Sequence, residues 1–285
     1  MDRVAPDTYC VDANLFGMPG ACSVYVVDAD EPAVVDTGDT GTPEQILDAL
    51  AALDVAPEAV EHVLVSHVHL DPAAGAGRLA RECPNATVHV HERGVQYLTE
   101  PTELDRLKRS VDRAMGQENA YGDPDLVPSE RVEAVADGDT VDLGDRILRC
   151  LDAPGHAPHH FAAFDTETGA LFSIDSAGMY LGGRLYPTTP PPSFDLAANV
   201  ETCERLSALE PSVNLYGHYG AGGEDAVGEL ERYPGLLREW LDVVEAKRGV
   251  HGADVDSIVA DLDARWRSPT VQRDVAGVLQ WLDRE

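Results

Sequence analysis

The sequence predicts a mixed α/β protein whose strands and helices share one domain of 285 residues. Three observations carry this. Short apolar runs with the alternation or continuous burial of strands recur along most of the chain. Amphipathic helical stretches fall between those runs over most of the chain and continue to its C-terminal end. No repeat of roughly 20 to 50 residues and no linker divides the chain, and a 44% hydrophobic composition is ample for a shared core.

The elements follow in order. "SVYVVDA" (23–29) and "PAVVDTG" (32–38) read as two strands joined by a tight acidic turn, the second continuously apolar and hence buried. Thr42, Pro43 and Gln45 read as a capping box with proline at the first helical position, opening a helix that buries Ile46, Leu47, Leu50 and Leu53. "EHVLVSH" is a short buried strand that delivers His67, a helix covers about 75–83, and "ATVHVHE" is the next strand. Residues 95–130 turn helical and polar and hold the one basic cluster, Arg106, Lys108, Arg109 and Arg113. Strands return at about 131–136, 139–143, 146–151, 160–165 and 170–174. The Gly/Pro-rich stretch 178–194 reads as irregular throughout, since consecutive prolines remove donors and fix φ, and as a substrate-facing wall with Tyr180, Tyr186 and Tyr219 nearby. A helix at 195–209, the strand "SVNLYG" and further helices complete the chain. The last helix shows Val271, Val275, Val278, Leu279 and Leu282 on one face, a packing stripe. Trp240, Trp266 and Trp281 suit either a core or the face of a homodimer.

Charge narrows the setting. There are 51 acidic and 21 basic residues, a net charge of −30, and Lys108 and Lys247 are the lysines. The carboxylates are spread through periodic apolar sequence instead of forming a tail, so disorder is a poor account. Adaptation to high salt is a better one, because self-repulsion is screened over about 3 Å at 1 M ionic strength. Five dispersed cysteines without a C-x-x-C pair suggest buried, reduced thiols. No run approaches the roughly 20 apolar residues of a membrane span, and the first residues lack a signal pattern, so the expected location is the cytoplasm.

Chemistry concentrates at strand ends. His67 and His69 stand two apart where a buried strand runs out, so both imidazoles point to one side. A second H-x-H pair, His89 and His91, reads as ordinary strand residues. What distinguishes the first pair is its company: Asp36 in "VVDTG", Asp71, His156 in "APGHAPHH", Asp175 after "LFSI" and His218 after "NLYG". Each ends or follows an apolar run and would emerge at the same edge of a sheet. Converging imidazoles and carboxylates suit a borderline divalent ion such as Zn²⁺.

Over about residues 20–220 the ordered set "VDTG", "SHVHLDP", "PGHAPHH", "SID" and "GH" resembles the metallo-β-lactamase-fold superfamily, with a motif set like those of glyoxalase II and ribonuclease Z. The resemblance implies a four-layer αβ/βα sandwich with the site at one edge, a single domain over 1–285 carrying a helical insertion at 95–130 and a C-terminal helical elaboration at 224–285. It implies that His67, His69 and His156 hold a first metal, that Asp175 bridges to a second, and that Asp71 and His218 belong to that second site. Asp36 would orient the histidine motif and His160 would be structural. One departure stands out: where the family pattern most often reads H-x-H-x-D-H, this chain has Pro72, which has no ligating atom. The expectation is one tight Zn²⁺ and a weak or absent second ion.

The implied activity is hydrolysis of an ester, thioester, lactone or related small molecule by metal-bound hydroxide, with Asp71 as general base or water-orienting group. A nuclease of the same superfamily is the alternative, for which the basic cluster is the support. Further alternatives are a mononuclear iron dioxygenase using His67, His156 and Asp175 as a facial triad, and a metal-binding protein without catalysis.

Overall fold

In the computed structural model, which describes residues 1–285, two sheets stack face to face between outer helices. The first sheet runs in the order β1 (Asp2–Ala5), β2 (Thr8–Asp12), β3 (Ser23–Val27), β4 (Ala33–Val35), β5 (His62–Val65), β6 (Thr87–His91), β7 (Val132–Val135). Its first four strands are antiparallel, and β4 to β7 are parallel. The second sheet contains β8 (Thr140–Asp142), β9 (Ile147–Asp152), β10 (Phe161–Asp165), β11 (Ala170–Phe172), β14 (Val213–Tyr216) and β15 (Gly220–Ala221), in the order β15-β14-β11-β10-β9-β8. A separate hairpin pairs β12 (Met179–Leu181) with β13 (Arg184–Tyr186).

Alternation decides what each face buries. Tyr25, Val35 and Leu64 of the first sheet meet Leu148, Cys150, Phe161, Phe172 and Leu215 of the second in an inter-sheet core. The opposite face of the first sheet, Val24, Val26, Val63, Val65, Val88 and Val90, packs on α1 (Pro43–Ala52), α2 (Leu70–Ala73) and α3 (Ala76–Glu82) through Ile46, Leu50, Leu70 and Leu79. The outer face of the second sheet, Leu151, Ala162, Leu171 and Tyr216, is covered by Leu206 of α6 (Leu196–Ser207) and Leu230 of α7 (Ala226–His251). The result is the expected four-layer sandwich. All five cysteines are buried and free.

Residues 95–130 begin with α4 (Val95–Thr99) and α5 (Pro101–Met115). At the other end, α7, α8 (Val255–Ala260) and α9 (Val271–Leu282) close around Trp240 and Trp266. Trp281 packs on Phe194, ring centroids 6.4 Å apart. Trp240 and Trp266 therefore serve a core, and Trp281 lies half-buried at its margin.

Three local expectations need correction. The stretch 178–194 is not irregular throughout, because Gly182 and Gly183, at φ of 58° and 80°, form the tight turn of the β12–β13 hairpin before the prolines begin. Thr42 is not a cap: its backbone is already helical and Asp39 Oδ1 instead accepts from Gly41 N at 2.8 Å and Thr42 N at 3.1 Å. The site residues do not share one sheet edge but come from the same end of both sheets.

Helix α9 is fixed with little tolerance. Thr189 N donates to Asp274 Oδ1 at 2.7 Å, Thr189 Oγ1 donates to the Asp274 carbonyl at 3.0 Å, and a Cβ on Gly277 would run into the Thr189 carbonyl. Glycine to alanine within a helix ordinarily stabilises by about 1 kcal/mol. Here Gly277→Ala is expected to cost about 1–3 kcal/mol through overpacking, read as a lower urea midpoint at constant slope.

Candidate metal centre

The site is assembled by chain turns just beyond strand ends. Asp36 follows β4 at φ 62°, Ser66, His67 and His69 follow β5, His156 and His160 lie between β9 and β10, Asp175 follows β11, and His218 follows β14. Six of these eight side chains lie almost wholly out of solvent: Asp36, Ser66, His67, His156, His160 and Asp175. His69 is half-buried and faces a cavity.

Hydrogen bonding sets the protonation of His67. Asp36 Oδ1 accepts from Ser66 N at 2.8 Å and Asp36 Oδ2 from Ser66 Oγ at 2.9 Å. Burial pushes the Asp36 carboxyl up to about 8 against the two Ser66 donors; once ionised, it takes the one proton that the hydroxyl has. The 3.0 Å contact between Ser66 Oγ and His67 Nδ1 must then be an Nδ1–H donor to the hydroxyl oxygen. His67 Nε2 is left with a free lone pair directed into the site.

That nitrogen meets two others. His69 Nδ1 lies 3.0 Å from His67 Nε2 and 3.0 Å from His156 Nε2, and the three ligand atoms fall within 4.8 Å of one another. A single proton can bridge one of these contacts, not both. Burial, then the neighbouring imidazoles, pushes His67 and His156 well below the ordinary histidine value. Burial likewise takes His69 down to about 4, against the pull of Asp71. Three neutral imidazoles with converging lone pairs are a donor set for a cation, and a divalent ion fits these residues. His160 stands behind them, its ring stacked on His67 at 4.7 Å and its Nε2 accepting from Asp175 N at 3.3 Å.

Asp175 Oδ2 lies 3.5 Å from His156 Nε2, 3.7 Å from His67 Nε2 and 3.8 Å from His218 Nε2, so it touches both halves of the site. Burial raises its carboxyl to about 6. In the second half, His218 donates from Nδ1 to the Ala21 carbonyl at 2.7 Å, and its Nε2 lies 3.5 Å from Asp71 Oδ2. Burial pushes His218 down, but the carboxylates of Asp175 and Asp71 more than reverse this and bring it up to about 9. Oδ1 of Asp71 and Oδ1 of Asp175 are buried without a partner.

The sequence reading missed one residue here. Arg273, on α9, places Nη1 at 3.4 Å and Nη2 at 3.5 Å from Asp71 Oδ2. Burial alone would raise the Asp71 carboxyl, yet Arg273 and His218 outweigh it and hold the group well below the usual carboxylate range. The helix stripe that includes Val271, Val275 and Val278 does pack, as expected, but packing is not the whole role of α9. Pro72 sits in the first turn of α2, where its missing N–H costs nothing, and its carbonyl accepts from Thr37 N at 2.7 Å and Thr37 Oγ1 at 2.8 Å.

Two cavities meet at Asp71, Tyr121 and Arg273. One has His69 in its floor and Tyr97, Leu107, Val111, His159 and Pro190–Pro192 in its walls; the other is bounded by Phe16, Met18, Met179, His218 and Gln272. The proline-rich stretch and the 95–130 segment thus do form walls, whereas Tyr180, Tyr186 and Tyr219 do not. His89 and His91 face elsewhere: His89 Nε2 hydrogen-bonds His62 Nδ1 at 3.0 Å, and His91 Nε2 lies 3.2 Å from Asp152 Oδ1.

The family model described as the metallo-beta-lactamase superfamily matches residues 17–218. The chain belongs to that superfamily. The metallo-beta-lactamase fold-containing protein ST1585 of Sulfurisphaera tokodaii is 28% identical over 214 residues, 74% of this chain and 78% of the relative. A hydroxyacylglutathione hydrolase of Rhodobacter capsulatus is 30% identical over 191 residues, 66% of this chain and 60% of the relative, so the chain spans less than two thirds of that enzyme. Among solved structures, archaeal ST1585 superposes with a TM-score of 0.72 at 22% identity, covering 96% of this chain and 98% of that one. The metallo-beta-lactamase family protein TTHA1429 of Thermus thermophilus gives 0.70 at 20% identity, covering 99% and 95%. Both likenesses show the fold. Metallo-beta-lactamase superfamily members are mostly metal-dependent hydrolases, and this chain holds a three-histidine metal-binding group. No helix is long and apolar enough to cross a membrane.

Proposed function

We propose that this protein is a zinc-dependent hydrolase of small acyl substrates, esters, thioesters or lactones. The observation that carries the reading is the convergence of the His67, His69 and His156 nitrogens within 4.8 Å beside the floor of a walled cavity. Bound there, a divalent cation supplies Lewis-acid polarisation of a carbonyl oxygen and acidification of a water. The protein's own groups do the rest. Asp36 and Ser66 keep the His67 lone pair turned inward. The unpartnered Oδ1 atoms of Asp71 and Asp175 can accept hydrogen bonds from a water and hold it in line with a bound acyl carbon. Leu70, Leu107, Val111 and Pro190–Pro192 give the acyl or leaving group an apolar wall. The similarity to hydroxyacylglutathione hydrolases favours a thioester as the first substrate to try.

The test is hydrolysis of a hydroxyacylglutathione, a nitrophenyl ester and an acyl lactone in molar salt by protein loaded with Zn²⁺, stripped with chelator, and reloaded. At least one substrate is expected to be turned over in a manner lost on stripping and restored on reloading. Activity indifferent to stripping, or one equivalent of iron with thiol-dependent oxygen uptake, would overturn the proposal.

A further inference from the structure

The Asp71–His218 half of the site contains a cation of its own. Both terminal nitrogens of Arg273 face Asp71 Oδ2, the oxygen that also faces His218. The side chain of Asp71 is 3% exposed and that of Arg273 is 23% exposed, so this is an interior pair and not a surface one. The guanidinium does not get there by chance of a flexible tail. Asp274 is tied to Thr189 by two hydrogen bonds, and Gly277 lets α9 lie directly on the Thr189–Pro190 backbone, so the helix is held one turn from the site.

Resting on the metal-hydrolase reading above, we infer that Arg273 takes the place of a second metal ion, so that the protein holds one divalent ion per chain, in the three-histidine half. Two independent departures agree on this. Pro72 removes a ligating atom from the second half, and Arg273 supplies that half with permanent positive charge. Asp71 and Asp175 need counter-charge because they are buried, and a guanidinium beside Asp71 provides it without dehydrating an ion. A second dication would have to displace Arg273 from Asp71 or sit against it, and like charges at such range in a poorly hydrated site repel strongly. Asp71, in turn, is engaged from one oxygen by the protein itself, which leaves Oδ1 as its working atom.

The experiment is metal stoichiometry, independent of turnover. Chelator-stripped wild type, Arg273→Ala, Arg273→Gln and Arg273→Lys are titrated with Co²⁺ and Zn²⁺, followed by cobalt visible spectra and by metal analysis after dialysis. Wild type and Arg273→Lys are expected to retain one equivalent. Arg273→Gln and Arg273→Ala are expected to bind a second equivalent at least about 100-fold more tightly than wild type. Adding Pro72→His to Arg273→Gln should tighten it further. Should the alanine variant fold poorly, the glutamine variant, which keeps the length and loses the charge, carries the comparison. Two equivalents of matched affinity in wild type would overturn the role of Arg273 and leave the hydrolase reading standing, as would neutral variants that stay at one equivalent. No uptake of either ion by wild type would sink the metal reading itself.

Discussion

His67→Ala is expected to abolish tight divalent-ion binding and with it hydrolysis, by more than the roughly 10–100-fold that loss of an outer supporting group costs. His67 is one of three converging nitrogens and the only one whose tautomer is dictated through Ser66 and Asp36. The stability signature is less obvious than the loss of activity. Without an ion, the three imidazoles bring lone pairs together at 3.0 Å, and one proton can relieve only one contact. Removing His67 deletes some of that conflict while opening a cavity, and the two effects oppose each other in the stripped protein. The large difference belongs to the loaded protein, where an ion at about a thousand times its dissociation constant stabilises the native state by about 4 kcal/mol. The measurement is thermal unfolding with and without Zn²⁺. Wild type should shift upward on loading and His67→Ala should not, with circular dichroism establishing that the variant is folded. An equal upward shift in both would place the ion elsewhere.

Much of this arrangement was legible because strand ends advertise themselves. In "VVDTG", "VLVSHVH", "LFSID" and "NLYGH" an apolar run stops abruptly at a group that cannot stay in a core unpaired. Order along the chain then sufficed to group Asp36, His67, His69, His156, Asp175 and His218, and the three-dimensional arrangement brings them together. What stayed hidden was long-range. Arg273 pairs with Asp71 across 202 positions, and nothing near Arg273 in sequence distinguishes it from the other arginines on helix surfaces. The apolar stripe of α9 describes the face that packs on Trp240 and Phe194 and is silent about the neighbouring edge, which reaches the site. The β12–β13 hairpin is a different case. Its signal, Gly182 and Gly183 between "MYL" and "RLY", was present, but the prolines that follow drew the whole stretch into one irregular reading. At Thr42 the residue pattern of a capping box was real and the geometry was not, because Asp39 three residues earlier accepts from both the N–H and the hydroxyl of Thr42, whose backbone is already helical. Local patterns thus located the groups that do chemistry, while partnership between distant groups required the fold.

Substitutions at Asp36 should separate folding from tautomer control. Asp36→Ala removes the acceptor for both Ser66 N and Ser66 Oγ, each buried, and at about 1–3 kcal/mol per stranded donor the expected loss is about 4 kcal/mol. It also leaves a residue at φ 62° that no longer has an aspartate's tolerance of the left-handed region. Asp36→Asn is the more informative variant. Its amide oxygen can still accept from Ser66 N, so most of the stability should survive, but its NH₂ group now donates to Ser66 Oγ where a carboxylate had accepted. The hydroxyl proton, no longer claimed by Asp36, turns to His67 Nδ1, which must become an acceptor. The imidazole proton then moves to Nε2, the atom that faces His69 and Asp175, and its lone pair is lost to the site. Above pH 8, where Asp36 is ionised, Asp36→Asn is therefore expected to unfold within about 1 kcal/mol of wild type yet bind the divalent ion about 10–100-fold more weakly. Urea unfolding of the stripped proteins reads the first quantity and competition against a chromogenic chelator the second. Unchanged ion affinity in the asparagine variant would mean that the Asp36–Ser66 pair holds the backbone of the loop and leaves the His67 proton to be set by something else.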